Sequence, residues 1–210
     1  MGDRIQPSDW YDYIKNHVGT ALGWEESNSE FVSFFDEFRR EIIDTSVLLI
    51  GTGSTELMFT EWPRILKSFG AKSITYLEIY EGYREKFANR EYKIIEGDIT
   101  EIDKYITEGA FDFICWFHGP EHIKYGKMPD TFNKIKLLCN KGLVTICPYG
   151  SYYDETELPQ GNVYEAHLQP NMSVETFSNV SSDISFFSVG RKDASDAVIF
   201  GYYFKEEANG

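Results

Sequence analysis

The chain has 210 residues, 42% hydrophobic and 16% aromatic, with a formal net charge of −14. That length fits one domain, or one domain with an N-terminal extension, and the apolar content fills a sizeable core. The negative charge repels phosphate backbones and the adjacent basic pairs are limited to Arg39-Arg40 and Arg191-Lys192, so nucleic acid is not an expected partner. No apolar stretch is long enough for a membrane span, and Met1–Asn16 has no secretory apolar region. Cys115, Cys139 and Cys147 lack zinc-type spacing and read as buried free thiols in a reducing, cytoplasmic setting.

Ser8 is placed to cap a helix over Asp9–Val18, and the polar stretch Glu25–Glu30 reads as a loop after Trp24. Phe31, Phe34, Phe35, Phe38, Ile42 and Ile43 recur at helical spacing and predict a helix over Ser29–Ile43. Residues 1–45 are therefore expected as a helical extension or lid, whose Tyr11, Tyr13 and Trp24 offer rings to a pocket. The main domain is expected over 46–210.

Val47–Ile50 is an apolar run that stops at Gly51-Thr52-Gly53-Ser54. Glycine has no Cβ, so a strand ending on this loop brings its backbone close to a ligand. About 27 residues after Gly51, the run Ile74-Thr75-Tyr76-Leu77 ends in Glu78, an acid well placed for a ribose diol. Strands are predicted at Val47–Ile50, Ser73–Glu78, Lys93–Glu96, Phe111–Phe117 and Gly142–Cys147. Helical patterns lie between them at Pro63–Phe69, Tyr80–Asn89, Ile102–Glu108 and Asp130–Asn140. Such alternation means right-handed crossovers and a parallel sheet with helices on both faces. Tyr149–Pro170 reads as loop and Ser173–Asn179 as a short helix. Ile184–Val189 and Ala197–Lys205 are β-rich runs joined by too few residues for a crossover, so they form an antiparallel hairpin.

Taken together, these features resemble the class I S-adenosylmethionine-dependent methyltransferases over about Val47–Lys205. The resemblance implies an α/β, Rossmann-like, seven-stranded sheet of order 3-2-1-4-5-7-6 with a C-terminal antiparallel hairpin. It implies S-adenosylmethionine as cofactor, held by Gly51, Thr52, Gly53 and Ser54 at the methionine part and by Glu78 and Ile79 at the ribose. Asp98 would take the adenine amino group, Ile99 would pack on the ring, and Phe117 lies where the fourth strand opens onto the cofactor. The sequence departs from the family at three places. Leu49 stands where an acid usually contacts the cofactor's amino group. Thr55 replaces the third glycine. The stretch from Gly53 to Glu78 is longer than usual and contains Pro63, which is expected to start or kink its helix. The methionine end must then be held otherwise, by Glu56 or by backbone carbonyls.

His118-Gly119-Pro120-Glu121-His122 spells H-x-x-E-H, a string also found in zinc peptidases. Zinc binding of that kind needs both histidines on one helix, and Gly119-Pro120 argues against it. No third ligand is evident, so no metal is expected. The methyltransferase reading instead puts His118 at the strand end that binds ligands, as a base or an orienting group for the acceptor. His122, Tyr149 and His167 are candidate substrate contacts, and Glu121 a structural neighbour.

The expected activity is in-line methyl transfer to a small-molecule acceptor. The alternative is a protein that binds S-adenosylmethionine without transferring methyl, as a sensor or partner subunit. A nicotinamide-dependent oxidoreductase shares the glycine loop but would lack the terminal hairpin. The sequence leaves the acceptor atom and the oligomeric state open.

Overall fold

Val47, Leu48, Leu49 and Ile50 are all buried, although neighbouring strand residues face opposite sides of a sheet. Consecutive burial of this kind needs a sheet covered on both faces, and that is the architecture found. The computed structural model describes residues 29–53, 56–88, 91–150, 161–169, 171–189 and 198–205. In chain order these form α1 (Ser29–Glu41), β1 (Ser46–Ile50), α2 (Glu56–Ser68), β2 (Ser73–Glu78), α3 (Glu81–Phe87) and β3 (Lys93–Glu96). A 3-10 segment (Ile99–Lys104) leads to β4 (Phe111–Phe117), α4 (Met128–Leu138), β5 (Cys139–Pro148), α5 (Val174–Val180), β6 (Ser185–Val189) and β7 (Val198–Phe204). Tyr11, Tyr13, Trp24, Ser54, Thr55 and the helix expected at Asp9–Val18 lie outside the described residues.

Among the described residues, seven strands form one sheet of order β3-β2-β1-β4-β5-β7-β6. Strands β1 to β5 pair in parallel, and β7 pairs antiparallel with both β5 and β6. Val47, Leu49, Phe113 and Cys115 face one apolar layer with α1, α2 and α3. Leu48, Ile50, Ile114 and Trp116 face the other, with the 3-10 segment, α4 and α5. Cys115, Cys139 and Cys147 are all buried free thiols. None of the described helices is long and apolar enough to cross a membrane.

Helix α1 packs in the apolar layer on one face of the sheet. Phe34, Phe38 and Ile42 are at most 1% exposed, and Phe34 meets the rings of Phe187 and Phe200 at 6.0 Å. An aromatic stripe of this size contributes on the order of 2 kcal/mol per buried ring, so α1 is part of the core.

The segment expected as a helix at Ile102–Glu108 is instead the earlier 3-10 turn, because the Asp98 side chain accepts the Thr100 amide at 2.8 Å and starts the turn there. Cys139 and Asn140 likewise leave the expected helix and open β5, where Cys139 pairs with Phe111.

Pro63 is a further correction, since it lies inside α2 rather than starting it. A mid-helix proline supplies no amide for the carbonyl four residues back, here that of Phe59. The buried Tyr76 hydroxyl from β2 donates to that carbonyl at 2.7 Å. This bond replaces the missing helical one and lets the helix continue. Tyr76→Phe is therefore expected to cost about 1–2 kcal/mol, because it orphans a buried carbonyl. In a Pro63→Ala background the same change should cost close to nothing, because alanine restores the amide. Urea unfolding of the four proteins in this cycle measures the coupling, and equal costs in both backgrounds would disprove the substitution of one bond for the other.

Candidate functional site

The carboxyl ends of β1, β2, β3 and β4 lie along one edge, where open α/β sheets bind ligands. Past β1, Gly51 (φ +81°) and Gly53 (φ +72°) adopt the left-handed conformation that favours glycine. A Cβ on Gly51 would find no atom within 4 Å, so the missing side chain leaves open space at the loop. Glu78 ends β2 and is 5% exposed. Its Oε2 accepts the Thr52 amide at 2.8 Å and the Thr52 hydroxyl at 2.9 Å, and its Oε1 accepts the Tyr80 amide at 2.8 Å. Glu78 therefore braces the glycine loop, and these bonds leave an acceptor site on Oε1 for a further donor. Arg84 ties the ends of β2 and β3 together, donating to the Ile79 carbonyl at 2.5 Å and pairing with Glu96 at 3.2 Å.

These strand ends open on a cavity of about 500 Å³. Gly51, Thr52, Gly53, Glu78, Ile79, Asp98, Ile99, Phe117, His118, His122 and His167 all line it, as does the buried Leu49. Trp62, Trp116, Glu165, Lys124 and Lys127 line it too, and none of them was a site candidate from the sequence. Trp62 packs on Phe117 with ring centroids 4.4 Å apart, a contact that no local pattern signals because it joins α2 to β4. Tyr149 packs with the layer that holds Cys147 and Met172 and is not among the residues that line this cavity. Residues two apart on an extended chain share a face, so Tyr149 follows Cys147 into that layer. The Glu56 side chain lies outside what is described.

His118 leaves β4 with φ 50°, a conformation uncommon for a residue with a side chain, while its amide donates to the Ile146 carbonyl at 2.7 Å. Pro120 then starts the short 3-10 turn Pro120–His122, so His118 and His122 share no helix. The segment 161–169 is clamped onto this turn from far along the chain. The Leu168 amide donates to the Glu121 carbonyl at 2.8 Å, and the Gln169 side-chain amide donates to the Ile123 carbonyl. His122 Nδ1 lies 3.3 Å from the Ala166 carbonyl, which makes that nitrogen the N–H donor and leaves Nε2 with a lone pair. The clamp brings the His167 ring to 5.0 Å from that of His122.

Close to His118 and His122 lies the buried Glu121 carboxyl. Its Oε1 is 3.8 Å from His118 Nδ1 and 3.9 Å from His122 Nε2. Its Oε2 has no hydrogen-bond partner among the described residues. Burial, with Glu165 nearby, pushes the Glu121 carboxyl up to about 8. Burial first, then His167, hold the imidazoles of His118 and His122 down to about 4. Both histidines are thus neutral at pH 7, and each has a lone pair available.

No protein-family model matches this sequence, and no curated protein matches it. Solved structures do resemble it. An S-adenosylmethionine-dependent methyltransferase from Archaeoglobus fulgidus superposes over 93% of this chain and 99% of its own, with a TM-score of 0.55 at 12% identity. The magnesium protoporphyrin IX methyltransferase of Synechocystis PCC 6803, solved with bound S-adenosylhomocysteine, covers 84% of this chain and 81% of its own (TM-score 0.52, 10% identity). The chain has the class I S-adenosylmethionine-dependent methyltransferase fold. A Rhodobacter sphaeroides protein assigned provisionally to the Zn-dependent alcohol dehydrogenases matches equally well, over 93% of this chain and 96% of its own (TM-score 0.55, 14% identity). In this methyltransferase fold the terminal β6–β7 hairpin is the part that the order of the parallel strands leaves undetermined, and it is present here.

Proposed function

We propose that the chain is an S-adenosylmethionine-dependent methyltransferase acting on a small-molecule acceptor. The observation that carries this reading is Glu78. A buried carboxylate ends β2, braces the glycine loop of β1, and keeps an acceptor site on Oε1 for a ribose hydroxyl beside that loop. Other features fit the same ligand. The open space at Gly51 suits a close backbone approach, and Asp98 commits Oδ1 to the Thr100 amide while its second oxygen remains for an adenine amino group. Ile99 and Phe117 supply apolar surface for the base.

S-adenosylmethionine supplies an activated methyl group on a sulfonium, so the protein's tasks are alignment, exclusion of water and removal of the acceptor's proton. Neutral His118, at the end of β4, is the residue to accept that proton or hold the acceptor in line. His122 and His167 stand on the same wall of the cavity, beside the place of the acceptor. A net charge of −14 disfavours nucleic acid as the acceptor. Three buried free thiols suit the reducing cytoplasm.

Calorimetric titration with S-adenosylmethionine, S-adenosylhomocysteine and NADH tests the reading. The sulfur compounds are expected to bind with a Kd on the order of 10 µM, and NADH not at all. NADH binding alone would replace it with hydride transfer.

A further inference from the structure

We propose that Glu121, His122 and His167 bind a divalent first-row transition metal at the β4 end of the cavity. The three residues offer one carboxylate oxygen and two imidazole nitrogens, all within 4.8 Å of one another. Ligand atoms that share an ion at about 2.1 Å lie about 3–4.2 Å apart, so the cluster needs only small side-chain movements to close on one. Two imidazoles with one carboxylate suit zinc, iron, cobalt or manganese, and do not suit calcium or magnesium.

Three observations favour an ion over a self-contained polar cluster. Glu121 is 2% exposed, yet its Oε2 has no hydrogen-bond partner among the described residues. A buried, unpartnered carboxyl oxygen costs stability unless something else satisfies it. His122 Nδ1 is tied to the Ala166 carbonyl, which aims Nε2 at Glu121 and Glu165, 3.9 Å and 4.0 Å away. Orientation of a ligating imidazole through its other nitrogen is the usual outer support of a metal site. Finally, Leu168 and Gln169 bond to the turn that carries Glu121 and His122, and this places His167 without help from an ion.

The H-x-x-E-H string thus acquires the third ligand that the sequence alone does not supply, and it does so without the peptidase helix. Three protein ligands leave coordination positions open toward the cavity, which also holds His118. An oxygen or nitrogen atom of an acceptor fits there; that role rests on the methyl-transfer reading, whereas metal binding does not.

The test uses full-length protein without a histidine tag, freed of metal by a chelator and titrated with cobalt(II) and then zinc(II). One equivalent of cobalt is expected to bind with a Kd below about 10 µM and to develop visible absorption. Glu121→Gln and His167→Gln should each weaken zinc binding by about 100-fold, while S-adenosylhomocysteine affinity and near-ultraviolet circular dichroism report that the fold persists. Absence of stoichiometric cobalt binding by the unmodified protein overturns the proposal, whatever the variants do. So does a folded His167→Gln variant that binds zinc as tightly as the unmodified protein. Cobalt binding without S-adenosylhomocysteine binding supports the site and removes the methyl-transfer reading instead.

Discussion

Glu78→Ala is expected to weaken S-adenosylhomocysteine binding by about 10- to 100-fold, since a hydrogen bond from a ribose hydroxyl to a carboxylate contributes roughly 1.5–3 kcal/mol. The same change removes the acceptor for the Thr52 amide, the Thr52 hydroxyl and the Tyr80 amide. Part of the loss therefore comes from the glycine loop, since Thr52 is 1% exposed and its amide loses a buried partner. A ligand comparison separates the two contributions. The unmodified protein should prefer adenosine over 2′,3′-dideoxyadenosine by about 10-fold or more, and Glu78→Ala should not discriminate between them. Equal discrimination by both proteins would place the ribose elsewhere.

Glu121→Gln, with a chelator present, should become more stable than the unmodified protein as the pH rises. Burial raises the Glu121 carboxyl from 4.5 to about 8 in the folded chain. Between those values the folded protein keeps a proton that the unfolded chain has released. Stability contributed by this group is thus complete below about pH 4.5 and is lost as the pH rises through 8. Glutamine has the same shape and no charge, so the difference between the two proteins should grow across this window and then level off, on the order of 5 kcal/mol. On the acid side the sign reverses. His118 and His122 are lowered from 6.5 to about 4 by burial and then by His167, so their contribution is complete above pH 6.5 and is lost as the pH falls through 4. Urea unfolding midpoints at several pH values would decide. Parallel curves for the two proteins would mean that Glu121 ionises freely in the fold.

The strands were legible because their burial is local to the sequence. Ser73–Glu78, Lys93–Glu96 and Phe111–Phe117 occupy the bounds that their apolar runs predict. The hairpin was legible from its short connection, which excludes a crossover helix. Glu78 was legible as an acid at a strand end, a position that a parallel sheet turns toward ligand, whereas Asp98 was marked by the family resemblance. Pro63 was misread because the bond that rescues α2 comes from Tyr76, on another element. Tyr149 lies in the other layer because the face of a strand extension is chosen by what it packs on.

The sequence by itself determined the sheet, its parallel core and its antiparallel finish. Each follows from apolar periodicity or from a short spacing along the chain. Only the tertiary structure decided the company of Glu121 and His122. His167 lies 45 residues beyond His122, and no local pattern joins them. The Leu168 amide, the Gln169 side chain and the Ala166 carbonyl make that connection by bonding to a turn formed much earlier in the chain. Periodicity reports which side of an element is buried. Which polar groups meet inside a cavity is settled by where loops from distant positions find backbone partners.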